Sequence, residues 1–165
     1  IRDVPDFPQP GVVFKDITPL LQDPAAFEHC IAKLEGHCRG LHVGDIVAIE
    51  ARGFILGAPL ALRLGAGFVP LRKKGKLPRK TVSVEYGLEY GSAEVELHED
   101  AVRPGKRVFI VDDVLATGGT AAAAINLVER LGAQVVGIGF LLELGFLNGR
   151  DKLPNQVDVF SVVEY

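Results

Sequence analysis

Residues 108–120 read VFIVDDVLATGGT. An apolar run, Val108 to Val111, meets two adjacent carboxylates, Asp112 and Asp113, and then passes into small, hydroxylated and glycine residues. Like charges side by side repel, and a buried strand end is a costly place for them unless something there needs acceptors. The residues that follow, TAAAAINLVERLG, have helical spacing and stop at Gly132. The stretch therefore reads strand, loop, helix. In open α/β sheets, ligands bind beyond the carboxyl ends of the strands. Thr117, Gly118, Gly119 and Thr120 bring two hydroxyls and unshielded backbone N–H groups to a helix start, where unpaired donors and the positive dipole end favour an anion. A plain turn with a capping aspartate explains one carboxylate, but neither the second nor the hydroxyl-glycine-glycine-hydroxyl run. It is not a Walker loop, since no Gly-Lys-Ser/Thr follows, and no GxGxxG is present. The parts suit a phosphorylated sugar.

Outward from this stretch the pattern repeats. Residues 45–50, DIVAIE, form a short apolar run; GFILGAPLALRLG follows as an apolar helix, and GFVPL as another run. Strand, helix, strand with few polar residues predicts a parallel pair buried on both faces with a right-handed crossover. QVVGIGFLLEL and VDVFSVV add two further strands. From Thr81 the period changes: Val82, Val84 and Tyr86 alternate with polar partners, and Val95 and Leu97 alternate with Glu94, Glu96 and His98. That predicts a two-stranded hairpin with one polar face. Asp23-Pro24 signals a helix start, with Phe27, Ile31 and Leu34 at helical spacing up to a stop near Gly40. Before it, five prolines in 24 residues predict an extended irregular arm. The fold class is α/β, a mainly parallel sheet flanked by helices, in one domain spanning residues 1–165.

Composition bounds the function. With 48 % apolar and 24 % charged residues the chain has the make-up of a soluble globule. A net charge of −3 gives no overall basic field for nucleic acid, and the apolar runs are far short of a membrane span. A nucleic-acid-binding regulator would also need a basic accessory domain, and none is visible. Cys30 and Cys38 lie eight apart on one predicted helix, too far to bond each other, and read as reduced thiols. With no signal-like segment, a cytoplasmic location is expected, although the chain begins at Ile1 without Met. His29, His37, His42 and His98 show no metal-ligand spacing, and no protein-bound metal site is expected.

VFIVDDVLATGGT resembles the signature of the type I phosphoribosyltransferases, which bind 5-phosphoribosyl 1-diphosphate. FPQPGVVFKDITPLL, EARGFILGAPLA, RKKGKLP and YGLEYGSAEVELHEDAV resemble the adenine-using members of that family along nearly the whole chain. The resemblance implies a purine salvage enzyme that converts adenine and 5-phosphoribosyl 1-diphosphate to AMP and pyrophosphate; a 6-oxopurine such as hypoxanthine or xanthine is the alternative base. Asp112 and Asp113 would hold the ribose hydroxyls, and Ala116, Thr117, Gly118, Gly119 and Thr120 the 5′-phosphate. Ala51 and Arg52, with Mg²⁺ bound through the substrate's diphosphate and ribose, would meet the leaving group, and Ala51-Arg52 would be a cis peptide. Arg72, Lys73 and Lys76 would reach pyrophosphate, within one subunit or across a homodimer. Residues 78–99 would be a flap hairpin bearing Glu89, the general acid/base, and Tyr90 beside it. Residues 1–22 would be a hood arm whose Val13, Phe14 and Lys15, together with Leu144, enclose adenine. Lys15 stands where many relatives carry arginine and lacks arginine's planar fork of donors.

Overall fold

The computed structural model describes residues 1–87 and 92–165. The chain begins with two short strands, β1 (Arg2–Pro5) and β2 (Val13–Asp16), paired antiparallel with Asp3 opposite Lys15. The expectation of an irregular arm is corrected here. Pro8 and Pro10 fall within the turn and Pro5 ends β1, so no ladder bond inside the hairpin is lost to a proline. Gly11 N–H donates to Asp6 Oδ1 at 2.7 Å and Phe7 N–H to Val12 O at 3.2 Å, closing that turn. Helix α1 (Thr18–Gln22) takes Pro19 in its first turn, where a missing N–H is harmless. Helix α2 (Pro24–Cys38) is capped by Asp23, which accepts from Ala25 and Ala26 N–H at 2.9 and 3.1 Å. Its buried face carries Cys30, Ile31, Leu34 and Cys38; both thiols are free, and burial pushes that of Cys38 up to about 12.

Strand β3 (Asp45–Ile49), helix α3 (Gly53–Leu64) and strand β4 (Gly67–Lys73) form the expected parallel crossover. The hairpin β5 (Thr81–Gly87) and β6 (Ser92–His98) follows, then β7 (Arg107–Leu115), helix α4 (Gly119–Arg130), β8 (Gln134–Glu143) and β9 (Val159–Glu164). The seven-stranded sheet has the order β5-β6-β4-β3-β7-β8-β9. From β4 to β9 neighbours run parallel, while the hairpin joins antiparallel through β6. Side chains alternate between two cores. Val47, Ile49, Val108 and Ile110 pack with α4 on one face, and Ile46, Ala48, Phe109 and Val111 with α2 and α3 on the other. Phe109 is fully buried, so truncation to alanine would cost about 3–5 kcal/mol.

Two sequence boundaries shift. The apolar run of β7 ends at Val111, but the strand does not: Asp112, Val114 and Leu115 keep their partners Phe140, Leu142 and Glu143 in β8. Pairing continues because β8 is long enough to offer ladder groups beyond the apolar run. The polar face of the hairpin is also less exposed than alternation suggests. Glu96 is only 4 % exposed, and its Oε1 accepts the N–H groups of Lys76 and Leu77 at 3.0 and 3.1 Å, satisfying the turn after β4.

Candidate active site

The carboxyl ends of β3 and β7 and the start of α4 enclose a cleft of about 490 Å³. Ala116, Thr117 and Gly118 form the loop between β7 and α4, and with Gly119 and Thr120 they line one side. Gly118 takes φ +80° at the head of α4, and a Cβ there would overlap the carbonyl oxygen of Gly149. Gly149 is equally tight: its own Cβ would overlap Ala116 O. The loop is thus shaped by two glycines face to face, 31 residues apart, of which only Gly118 is obvious from the sequence.

Asp112 and Asp113 form the opposite pole. Asp113 is 6 % exposed, and its Oδ2 lies 2.5 Å from Arg52 Nε. Asp112 Oδ1 accepts the N–H of Asp113 at 2.8 Å. Burial, then the adjacent charge of Asp113, pushes the Asp112 carboxyl well above the ordinary carboxylate range. The two are therefore unequal: Asp113 is matched by a cation, while Asp112 is under electrostatic load. Gly53 lets this happen, because a Cβ there would sit 2.8 Å from Val111 O and 3.1 Å from Asp112 Oδ1. That close approach is why glycine opens α3.

Glu50, Ala51 and Arg52 form the wall beside them. The cis peptide is Glu50-Ala51, one bond earlier than expected at Ala51-Arg52. Glu50 N–H still bonds Leu71 O at 2.9 Å, so strand pairing runs through Glu50 and the reversal falls on the next bond. Glu50 Oε2 accepts Arg72 Nε at 3.1 Å and Lys73 N–H at 2.9 Å. Burial raises its pKa, but these bonds outweigh that effect and hold it below the usual carboxylate range. Of the three expected cations, only Lys73 lines the cleft; Arg72 also donates to Lys76 O at 3.2 Å, and the Lys76 side chain is exposed. Glu50 stands in the EARG stretch, but its bonds to Arg72 and Lys73 of β4 could not be read from that stretch. Tyr86, at the end of β5, reaches the same cleft, with Gly87 close over Gly119. Glu89 and Tyr90 lie outside the described residues.

A second hollow, about 900 Å³, adjoins the first and shares Ala116 and Thr117 with it. Its hood side is Gly11, Val12, Val13 and Lys15, with Asp3 beside Lys15; its far side is Leu144, Phe146 and Leu147. Val13, Lys15 and Leu144 are thus brought together as expected. Phe14 points elsewhere, because alternate residues of a strand face opposite ways. Its ring packs edge-on against Phe7 at 5.2 Å and under the Arg52 guanidinium at 5.5 Å.

Behind Leu144, Glu143 is 4 % exposed and held by Arg150 through two bonds, Nε to Oε1 at 2.7 Å and a second nitrogen to Oε2 at 2.6 Å. Ser161 Oγ donates to the same Oε2 at 2.6 Å. The Arg150 hydrogen bonds hold the Glu143 carboxyl below the ordinary range. Arg150 follows Gly149, so this pair anchors the segment that backs the loop between β7 and α4. A carboxylate inside the apolar run FLLEL was the available signal, since a buried acid needs a partner.

The chain matches the phosphoribosyl transferase domain family over residues 18–164. It is 61 % identical over 155 residues to the adenine phosphoribosyltransferase of Thermobifida fusca, covering 94 % of this chain and 88 % of that protein. The crystal structure of adenine phosphoribosyltransferase from Thermoanaerobacter pseudethanolicus superposes with a TM-score of 0.96 at 55 % identity, covering 100 % of this chain and 95 % of the other. The Saccharomyces cerevisiae enzyme, solved with D-2,5-dideoxy-2,5-imino-altritol 1,6-bisphosphate and adenine, gives 0.93 at 42 % identity over 98 % of this chain and 93 % of that one. The carboxylate pair, the glycine-shaped loop and the adjoining apolar hollow thus sit in a fold these relatives share along its whole length, and the chain belongs to the phosphoribosyltransferase family, among the adenine phosphoribosyltransferases.

Proposed function

We infer that the protein salvages adenine, transferring the 5-phosphoribosyl group of 5-phosphoribosyl 1-diphosphate to a ring nitrogen of the base and releasing AMP and pyrophosphate. The observation that carries this reading is the contiguity of two unlike hollows. One offers carboxylate acceptors and helix-start donors for a sugar phosphate, the other an apolar slot for a flat base, and they meet at Ala116 and Thr117. The yeast relative's complex with adenine and a bisphosphate imino-sugar supports it. A 6-oxopurine is not favoured, because the relatives named above are all adenine enzymes.

In this reading Asp112 and Asp113 accept the ribose hydroxyls, which are donors suited to carboxylates. Residues 116–120 bind the 5′-phosphate through N–H and hydroxyl donors. Arg52 and Lys73 face the diphosphate, with Ala51 lining the approach and Arg72 and Lys76 completing the basic rim. Bond cleavage at C1′ develops positive charge on the ribose, and the paired carboxylates stabilise it. Glu89 exchanges a proton with the purine, and Tyr90 and Tyr86 help shield the centre from water. Val13, Lys15 and Leu144 surround the base while Phe14 backs the hood against Arg52, residues 1–22 acting as hood and 78–99 as flap of one domain.

Mg²⁺ fits as a passenger of the substrate. Among the described residues no group of three or more His, Cys, Asp or Glu side chains forms a cage, and Asp113 is already matched by Arg52. Magnesium is commonly held by one or two carboxylates plus substrate phosphates, and Asp112 is the carboxylate still unmatched by a cation. Bound there, it would neutralise charge on the departing diphosphate.

A homodimer is part of the proposal. Ile55 and Leu62, one helical face of α3, and Phe68 of β4, the strand that bears Arg72 and Lys73, are 41, 85 and 40 % exposed, apolar surface that a partner subunit would cover. Light scattering would give twice the chain mass. A cytoplasmic location is proposed from the two free thiols; among the described residues no helix is long and apolar enough to cross a membrane. The activity is tested by incubating the protein with adenine and 5-phosphoribosyl 1-diphosphate and following AMP; no AMP would refute it.

A further inference from the structure

The hood is only lightly attached. β1 and β2 form a two-stranded sheet of their own, with no ladder bonds to the seven-stranded sheet among the described residues. Two cation–π contacts leave it: Arg52 lies over Phe14, and Lys15 Nζ lies 4.2 Å from the centroid of the Tyr165 ring. The second is the shorter of the two, and its cation is the more buried. The Lys15 side chain is only 14 % exposed, and Asp3 Oδ1, across the hairpin ladder, fixes its ammonium at 2.7 Å.

Tyr165 is itself fastened to the opposite wall of the base hollow. Its N–H donates to Glu143 O at 3.0 Å, and its carbonyl accepts from Gly145 N–H at 2.9 Å. These two bonds bracket Leu144, which lines that wall. The backbone of Tyr165 therefore belongs to one wall, and its ring receives the cation of the other.

We propose that Asp3, Lys15 and Tyr165 form a tie that sets the width of the base hollow, holding the hood against the Leu144 wall, and that Lys15 and Tyr165 are accordingly positioning residues for the base. This rests on the reading of the second hollow as the adenine site. The tie explains what lysine does in place of arginine. A compact ammonium reaches one carboxylate and one ring face at once, whereas a planar guanidinium would spread its donors over a wider arc. It acts chiefly on the base side, because Lys15 lines the base hollow and neither Lys15 nor Tyr165 lines the sugar-phosphate cleft.

Steady-state kinetics with both substrates varied tests this. Tyr165→Leu and Lys15→Met should each raise the KM for adenine about fivefold, the loss of one partly buried cation–π contact. The KM for 5-phosphoribosyl 1-diphosphate should stay within about twofold, the double variant should be no worse than either single, and Tyr165→Phe, which keeps the ring, should restore the adenine KM. Should Tyr165→Leu fail to fold, fluorinated phenylalanines at position 165 give the same reading, because fluorine weakens the ring face without reshaping it. An adenine KM that rises with fluorine number supports the tie. Equal shifts in both KM values, additive single effects, no rescue by phenylalanine or no fluorine dependence would overturn it. Absence of AMP formation by the unaltered protein would instead overturn the function on which it rests.

Discussion

The two hollows of the molecule are made by opposite strategies. The sugar-phosphate cleft takes its loop and both carboxylates from one stretch, residues 112–120, and relies on backbone donors at the start of α4. The base hollow is assembled from residues 3–15, 116–117 and 144–147, with side chains and a detached hairpin supplying the walls. The first is built from charge and hydrogen-bond groups at fixed backbone positions. Apolar contact and one tie make the second adjustable. Variants should therefore separate by which substrate they affect.

The largest expected effect is on the cleft. Gly118→Val drives a side chain into Gly149, and the displaced loop should lower kcat/KM for 5-phosphoribosyl 1-diphosphate by at least about 10²-fold, the scale of an ångström-sized misplacement of binding groups. A loss confined to adenine would contradict the division. Glu89→Ala should lower kcat by on the order of 10² if proton transfer to or from the base dominates. An unchanged kcat would remove Glu89 from the chemistry.

Arg150→Met strands the Glu143 carboxylate and should cost on the order of 2–3 kcal/mol of stability by chemical denaturation. The pH dependence has a definite sign. Glu143 is lowered in the folded chain, so its contribution is present above its unfolded pKa, about 4.3, and is lost as pH falls through the lower folded value. Arg150→Met should remove that part of the acid dependence.

The smallest effect separates the two aspartates. Asp113→Asn and Asp112→Asn should each raise the KM for 5-phosphoribosyl 1-diphosphate about tenfold, the worth of one charge-assisted hydrogen bond, and that for adenine much less. In the empty protein they should differ. Asp112 is raised by burial and by Asp113, so its ionisation destabilises the fold as pH rises above its unfolded pKa. Asp112→Asn should therefore increase Tm at neutral pH by about 2–4 °C, whereas Asp113→Asn, losing the Arg52 pair, should not. Calorimetry that finds both destabilised would remove the unequal loading.

The same contrast governs what could be read from sequence. The strand order of types, α2 with its Asp23 cap, and the anion loop were legible because each is signalled by neighbours along the chain. The hood hairpin was not, since prolines that stand in a turn look the same as prolines that prevent a strand. Glu96 read as a surface residue because alternation says nothing about a turn folding back to use its carboxylate. Gly149 and Arg150 drew no reading, because their meaning lies in contacts with Ala116, which is far away in the sequence, and with Glu143. Side chains of the base site were named through family resemblance, and even so Phe14 turned toward Arg52 instead of lining the hollow.

One competition experiment bears most directly on the paired hollows. Equimolar adenine and hypoxanthine are supplied with limiting 5-phosphoribosyl 1-diphosphate, and the nucleotides formed are separated and counted. AMP in large excess is the expected result; predominant IMP, or neither nucleotide, would contradict it.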